Sequence, residues 1–113
     1  MAVCLGLTER GGIQLTYRNK KLLALAKEAP YCMYCKTENH GNVVAAHSNS
    51  QAMGKGMGHK AADIPAYLCA DCHDLYDGRR PSTATATEKY QMWCSAALLS
   101  MRWALENHPK VFA

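Results

Sequence analysis

The chain has 113 residues, 49% of them hydrophobic and 19% charged, with a formal net charge of +4. This balance predicts one globular domain over residues 1–113 with a modest core, small enough that a structural metal would help to hold it. It excludes a membrane-spanning protein, because the longest apolar runs fall far short of a span; the mild basicity is compatible with a nucleic-acid partner without requiring one.

The opening residues, MAVCLGLTERGG, carry no basic segment followed by a long apolar run, so no secretion signal is read and a reducing cytoplasm is the expected compartment. There, six cysteines are expected as metal ligands or free thiols rather than as disulfides. Gly11-Gly12 marks a turn. A short helix is predicted over Tyr17 to Glu28, with Leu22, Leu23, Leu25 and Ala26 apolar and Pro30 as its stop. Glu38-Asn39-His40-Gly41-Asn42 reads as a turn, and Val43-Val44-Ala45-Ala46 as a strand ending in His47. Residues 48–62 form a loop rich in glycine and polar groups. Ile64 to Leu68 suits a second short strand, with Pro65 marking its start or an edge. A helix of about two turns should end near Gly78. After Arg79-Arg80-Pro81, Ser82 or Thr83 is the expected cap of a long helix over about 82–107. Its apolar stripe is read as Tyr90, Trp93, Cys94, Ala97, Leu98, Met101 and Leu105, with Cys94 as a small core residue. Cys4 has no assignment.

Two Cys-x-x-Cys pairs carry the strongest chemical signal. Cys32-Met33-Tyr34-Cys35 and Cys69-Ala70-Asp71-Cys72 can each turn two thiolates towards one ion, and together they supply the four ligands of a tetrahedral structural Zn²⁺ site. Because His73 follows Cys72, the second pair also reads as a c-type haem attachment motif or a redox dithiol. Haem attachment belongs outside the cytoplasm, and a thioredoxin-like dithiol needs a βαβ context that the residues before Cys69 do not offer. Between the two pairs lie a strand, a loop and a strand, and the second pair opens a helix. The predicted architecture is therefore α+β, a zinc-stapled β-hairpin followed by a helix over about residues 30–80, with flanking helices including the long C-terminal one.

His73 and Asp77 stand four residues apart on that helix, so they share a face and can hold one divalent ion between an imidazole and a carboxylate; Mg²⁺, Mn²⁺, Ni²⁺ and Zn²⁺ all suit such a pair. Asp77 lies near the helix C-terminus, where the macrodipole disfavours an anion, and a bound cation would offset that cost. Asp74 points about a quarter-turn away, towards solvent or a supporting contact.

The succession of a Cys-x-x-Cys pair, a histidine at a strand end, and Cys-x-x-Cys-His on a helix resembles the HNH endonucleases, also called ββα-metal nucleases. Ala46-His47, the segment Gly58-His59-Lys60-Ala61-Ala62-Asp63, and Cys72-His73-Asp74 with Asp77 are similar to the small prophage-encoded proteins of that family and to the phage recombination-enhancement nuclease Ref. The resemblance implies a metal-dependent endonuclease acting on DNA phosphodiesters, DNA rather than RNA, with one catalytic divalent ion, a 5′-phosphate and a 3′-hydroxyl as product ends, and a setting in phage or prophage recombination or DNA processing. It implies His47 as the general base. The chain departs from the family pattern at Ala46, where many members carry an acidic metal ligand, and at Asp63, which stands where the middle Asn usually falls and would orient the loop carrying His47. His59 is an alternative ligand or phosphate contact. Lys55, His59 and Lys60 in the glycine-rich loop, with Arg79 and Arg80 after the helix, are the expected phosphate contacts, and Gly54, Gly56 and Gly58 would let the backbone approach closely.

Two other functions compete. A non-catalytic zinc module that binds nucleic acid shares the cysteines and the basic loop but has no use for His47 or for His73 with Asp77. A protein-binding module would use an exposed Trp93, Trp103 and Met101. A homodimer or a recombination partner would extend the small contact that a hairpin and helix can make; no membrane association is expected.

Overall fold

The computed structural model describes residues 17–49 and 61–113. Its elements in chain order are α1 (Lys20–Ala24), a 3₁₀ turn (Leu25–Glu28), β1 (Val43–Ala46), β2 (Ala66–Cys69), α2 (Ala70–Asp77), α3 (Ala86–Asn107) and a final 3₁₀ turn (Pro109–Phe112). The architecture is α+β: among the described residues, one two-stranded antiparallel hairpin and three helices, the last of them 22 residues long.

The first helix is shorter than its apolar pattern suggests. Asn19 caps it, its side chain accepting from the Leu22 N–H at 3.0 Å. Residues 17–19 are drawn out of the helix by residue 63: the Tyr17 carbonyl accepts from the Asp63 N–H at 2.8 Å, and the Asn19 N–H donates to the Asp63 carboxylate at 2.9 Å. The Asn19 amide also donates to the Val111 carbonyl at 2.6 Å, which ties this entry to the final 3₁₀ turn. Leu22, fully buried, and Leu25 face the core.

β1 runs over Val43–Ala46 as its β-branched start and the preceding turn predict. Gly41 adopts φ +94, a conformation that favours glycine, and the Asn39 side chain accepts from its N–H at 2.8 Å. β2 begins at Ala66 rather than Ile64, because Pro65 has no N–H to give a ladder and restricts the residue before it. The register pairs Val43 with Cys69 and Ala46 with Ala66. Tyr67 lies on the edge of β2 away from β1, and that edge is covered. Its carbonyl accepts from the Met33 N–H at 2.8 Å, and its N–H donates to the Ser100 hydroxyl at 2.9 Å.

α2 ends where expected, on Gly78 in the left-handed conformation. The start of α3 differs from the expected one. Thr85, not Ser82 or Thr83, is the cap: its hydroxyl accepts from the Glu88 N–H while the Glu88 carboxylate accepts from the Thr85 N–H, a reciprocal capping box that the other two residues lack the downstream Glu to form. The stripe of α3 that faces the core is also rotated from its most apolar face. Met92, Trp93, Ala96, Ala97, Ser100 and Ala104 are buried, whereas Leu98 and Leu105 are 73% and 56% exposed. Small side chains at 96, 100 and 104 let the helix lie close against β2, and Ser100 satisfies the strand edge, so close approach outweighs the larger residues on the neighbouring face. Cys94 is partly buried at the margin of the core. No helix among the described residues is long and apolar enough to cross a membrane.

Candidate functional site

The predicted cysteine tetrad comes together. The sulfurs of Cys32, Cys35, Cys69 and Cys72 all lie within 4.8 Å of one another, with Cys35 and Cys69 at 3.7 Å. Thiolates about 2.3 Å from a tetrahedral Zn²⁺ stand roughly 3.8 Å apart, so the cluster could hold such an ion with little adjustment. Each pair sits in a turn that aims N–H groups at its first sulfur: Tyr34 and Cys35 donate to Cys32 Sγ at 3.4 Å, and Cys72 donates to Cys69 Sγ at 3.5 Å. Lys36, at φ 68, closes the first turn with its N–H on the Cys32 carbonyl. Cys69 thus has three positions in the structure at once: the last residue of β2, the N-cap of α2 and a member of the cluster. Burial, reinforced by the neighbouring sulfurs, pushes the Cys72 thiol far up. At Cys35 burial also raises the thiol, but hydrogen bonds from the Thr37 hydroxyl and N–H outweigh it and bring the pKa down to about 6. A soft divalent cation would stabilise all four groups as thiolates against this mutual repulsion.

His47 and Asp63 are brought together from the end of β1 and the approach to β2. His47 Nε2 lies 2.9 Å from Asp63 Oδ1. Arg18 Nη1 is 3.3 Å from the same oxygen, and the Asn19 N–H holds the other. Burial pushes the Asp63 carboxyl up; the His47 and Asn19 hydrogen bonds and the positive charge of Arg18 outweigh it and leave the group below the usual carboxylate range. An ionised Asp63 accepting from Nε2–H fixes the imidazole tautomer and leaves Nδ1 with a free lone pair.

His73 and Asp77 meet as helical spacing predicts, Nε2 to Oδ2 at 3.0 Å. Two ligands at adjacent corners of an octahedral ion with bonds of about 2.1 Å are also roughly 3.0 Å apart, so this pair fits both a direct ion pair and a shared small cation. Arg79 Nη2 contacts Asp77 Oδ2 at 3.0 Å and its Nη1 contacts Asp74 at 3.0 Å. This guanidinium is one positive charge that offsets the helix dipole at Asp77, as a bound cation would.

The chain matches no family model, no curated protein and no solved structure. What can be said of the site rests on its own geometry, and the decisive part of that geometry is the tripeptide His47-Ser48-Asn49. His47 contacts Asp63 at one end, and at the other the Asn49 side-chain nitrogen lies 3.4 Å from Asp77 Oδ1. Two residues of extended chain span at most about 7 Å between Cα atoms, so the tripeptide ties the loop that carries the first imidazole–carboxylate pair to the helix that carries the second. The tripeptide is pinned from below. The Trp93 indole N–H donates to the Ala46 carbonyl at 2.8 Å, the Tyr76 hydroxyl accepts from the Asn49 N–H at 2.7 Å, and Ser48 is 1% exposed. Burial pushes the Tyr76 phenol up, with the Asn49 and Ser48 hydrogen bonds acting the other way, so it stays neutral.

The site contacts of Arg18, Asn19, Asn49, Tyr76 and Trp93 are not legible in the sequence. Arg18 and Asn19 look like the entry of an amphipathic helix, Asn49 like one polar residue in a polar loop, and Trp93 like plain core. Arg80 is exposed. Lys55, His59 and Lys60, with Gly54, Gly56, Gly58, Gly11, Gly12 and Cys4, lie outside the described residues.

Proposed function

We propose that this chain is a metal-dependent endonuclease of the HNH type that hydrolyses DNA phosphodiester bonds, built on a ββα core stapled by zinc at Cys32, Cys35, Cys69 and Cys72. What supports this reading is the tripeptide from His47 to Asn49, whose first residue meets Asp63 and whose last meets Asp77, the partner of His73. Fixed by Asp63, His47 Nδ1 takes a proton from water as its oxygen attacks phosphorus, and the 3′ oxygen leaves to give a 3′-hydroxyl and a 5′-phosphate. A divalent ion held by His73 and Asp77 would supply Lewis-acid stabilisation of charge on the phosphate and the leaving oxygen. Arg79, beside Asp77, and the basic residues Arg80, Lys55, His59 and Lys60 would grip the strand through its phosphates. Phage or prophage DNA processing, in a bacterial cytoplasm, is the setting this chemistry suits.

A second reading, a non-catalytic zinc module that binds nucleic acid, draws on the Arg79 contact: Asp77 Oδ2 already has a guanidinium partner at the same 3.0 Å as His73. Incubating zinc-loaded protein with plasmid and single-stranded DNA, in Mg²⁺, Mn²⁺ or EDTA, separates the two. Metal-dependent nicking that His47→Ala abolishes, in a variant that keeps its zinc and its melting temperature, is the expected result. Binding without cleavage, equal in the variant, transfers the assignment to the second reading.

A further inference from the structure

A cavity of about 390 Å³ lies beside the site and has no part in the chemistry above. Asn49, Tyr76, Ala86, Thr87, Lys89 and Tyr90 form its wall. We propose that it receives one unpaired nucleobase of a DNA strand whose phosphate lies at His73 and Asp77, so that the substrate is single-stranded or locally opened DNA. The proposal rests on the nuclease reading and narrows its substrate.

The wall has the composition a nucleobase requires. Tyr90 and Tyr76 both belong to an aromatic cluster around Trp93, with ring centroids 6.1 and 6.5 Å from the indole and interplanar angles of 8° and 23°. Tyr90, partly exposed, is the ring that can stack a base, and its packing on the buried Trp93 and Tyr76 cluster sets its position before binding. The volume is near the lower end of small-ligand sites, roughly 300–1,000 Å³, enough for one nucleoside and too little for a duplex. The Asn49 amide and the Thr87 hydroxyl supply donors and acceptors for the edge of a base. Lys89 brings positive charge to the rim and, among the described residues, pairs with no carboxylate, which suits a polyanion. The location is the strongest consideration: Asn49 is at once a wall of the cavity and the residue in contact with Asp77. A base seated there leaves its own backbone beside the His73–Asp77 pair.

The test is binding, read apart from cleavage. Zinc-loaded protein without added Mg²⁺ or Mn²⁺ is titrated by fluorescence anisotropy against a labelled single strand, an abasic oligomer of the same length, and the duplex. One stacked base predicts about tenfold tighter binding of the single strand than of the abasic oligomer. Tyr90→Leu, which keeps apolar bulk but removes the ring, and Ala86→Leu, which narrows the cavity from an exposed helix position, should each erase that preference and leave abasic and duplex affinities unchanged. Zinc content and melting temperature show that both variants are folded. A wild-type protein that holds the two oligomers equally, or variants that keep the preference, overturns the cavity assignment even if plasmid nicking is observed. A base preference erased by both variants, in a protein that never nicks, supports the cavity and removes the nuclease reading instead.

Discussion

Asp63→Asn separates orientation from chemistry at His47. The substitution keeps the shape of the side chain and removes its charge. In the structure Asp63 accepts from His47 at 2.9 Å and from the Asn19 N–H at 2.9 Å, and pairs with Arg18 at 3.3 Å. Hydrogen bonds to a charged group contribute about 1.5–3 kcal/mol and neutral ones about 0.5–1.5, while the half-exposed Arg18 adds well under 1 kcal/mol. The net loss should be about 1–3 kcal/mol, a melting temperature lower by roughly 4–13 °C for a domain of this size. Because the folded carboxyl titrates below its ordinary value, its contribution is fully present above the unfolded pKa of about 4 and is lost as pH falls through the lowered folded value. The difference between wild type and variant should therefore be flat from about pH 5 to 7 and shrink only below about pH 4. Cleavage should fall further than stability implies. An amide can present its NH₂ to Nε2 and favour the other tautomer, which puts the proton on Nδ1 and removes the base, a loss of about 10²-fold or more in kcat. Differential scanning fluorimetry and plasmid nicking, run on the same zinc-loaded samples, measure both. A variant that melts earlier yet nicks within a few-fold of wild type would refute the orienting role and leave Asp63 as a structural anchor for residues 17–19.

Three more perturbations test the frame of the site. Removing the metal from the cysteine cluster, by a strong chelator or by Cys69→Ser, should lose about one equivalent of zinc and unfold the chain, since structural zinc binding of roughly 10–16 kcal/mol is comparable to a whole domain's stability; circular dichroism with metal analysis reads it, and a native spectrum without metal contradicts it. Trp93→Phe removes the donor to the Ala46 carbonyl and should cost about 1–3 kcal/mol in denaturant unfolding, with a larger fractional loss of nicking than Phe at Tyr67 produces, because only Trp93 pins the residue before His47. Ser100→Ala strands the buried Tyr67 N–H and should cost a similar 1–3 kcal/mol while leaving zinc content intact.

Local signals in the sequence were sufficient for what is local in the fold. Two Cys-x-x-Cys pairs announce a thiolate cluster whatever lies between them, a four-residue spacing puts His73 and Asp77 on one face, and Gly78 ends a helix by its own conformation. What stayed hidden depends on partners distant in the chain. Asp63 needs Arg18 and Asn19, which look like ordinary helix residues until the approach to β2 is laid beside them. The face that α3 buries is not the most hydrophobic one, because the strand edge at Tyr67 selects for a hydroxyl and small neighbours. Thr85 was missed in favour of Ser82 and Thr83 because each can cap in isolation, and only the Glu three residues later discriminates.

The covering of Tyr67 sets a limit on dissection of the molecule. A hairpin of four residues per strand is marginal alone. Here Trp103 packs on the Tyr67 ring and Ser100 holds the Tyr67 N–H, both from the long last helix, while Met33 holds the Tyr67 carbonyl. A fragment ending before residue 86 would keep every proposed ligand and every proposed catalytic group, yet leave the Tyr67 N–H without its partner and present a bared apolar face to other copies of itself. Such a minimal fragment should aggregate rather than fold, and the folding unit is correspondingly larger than the hairpin and helix that hold the candidate site.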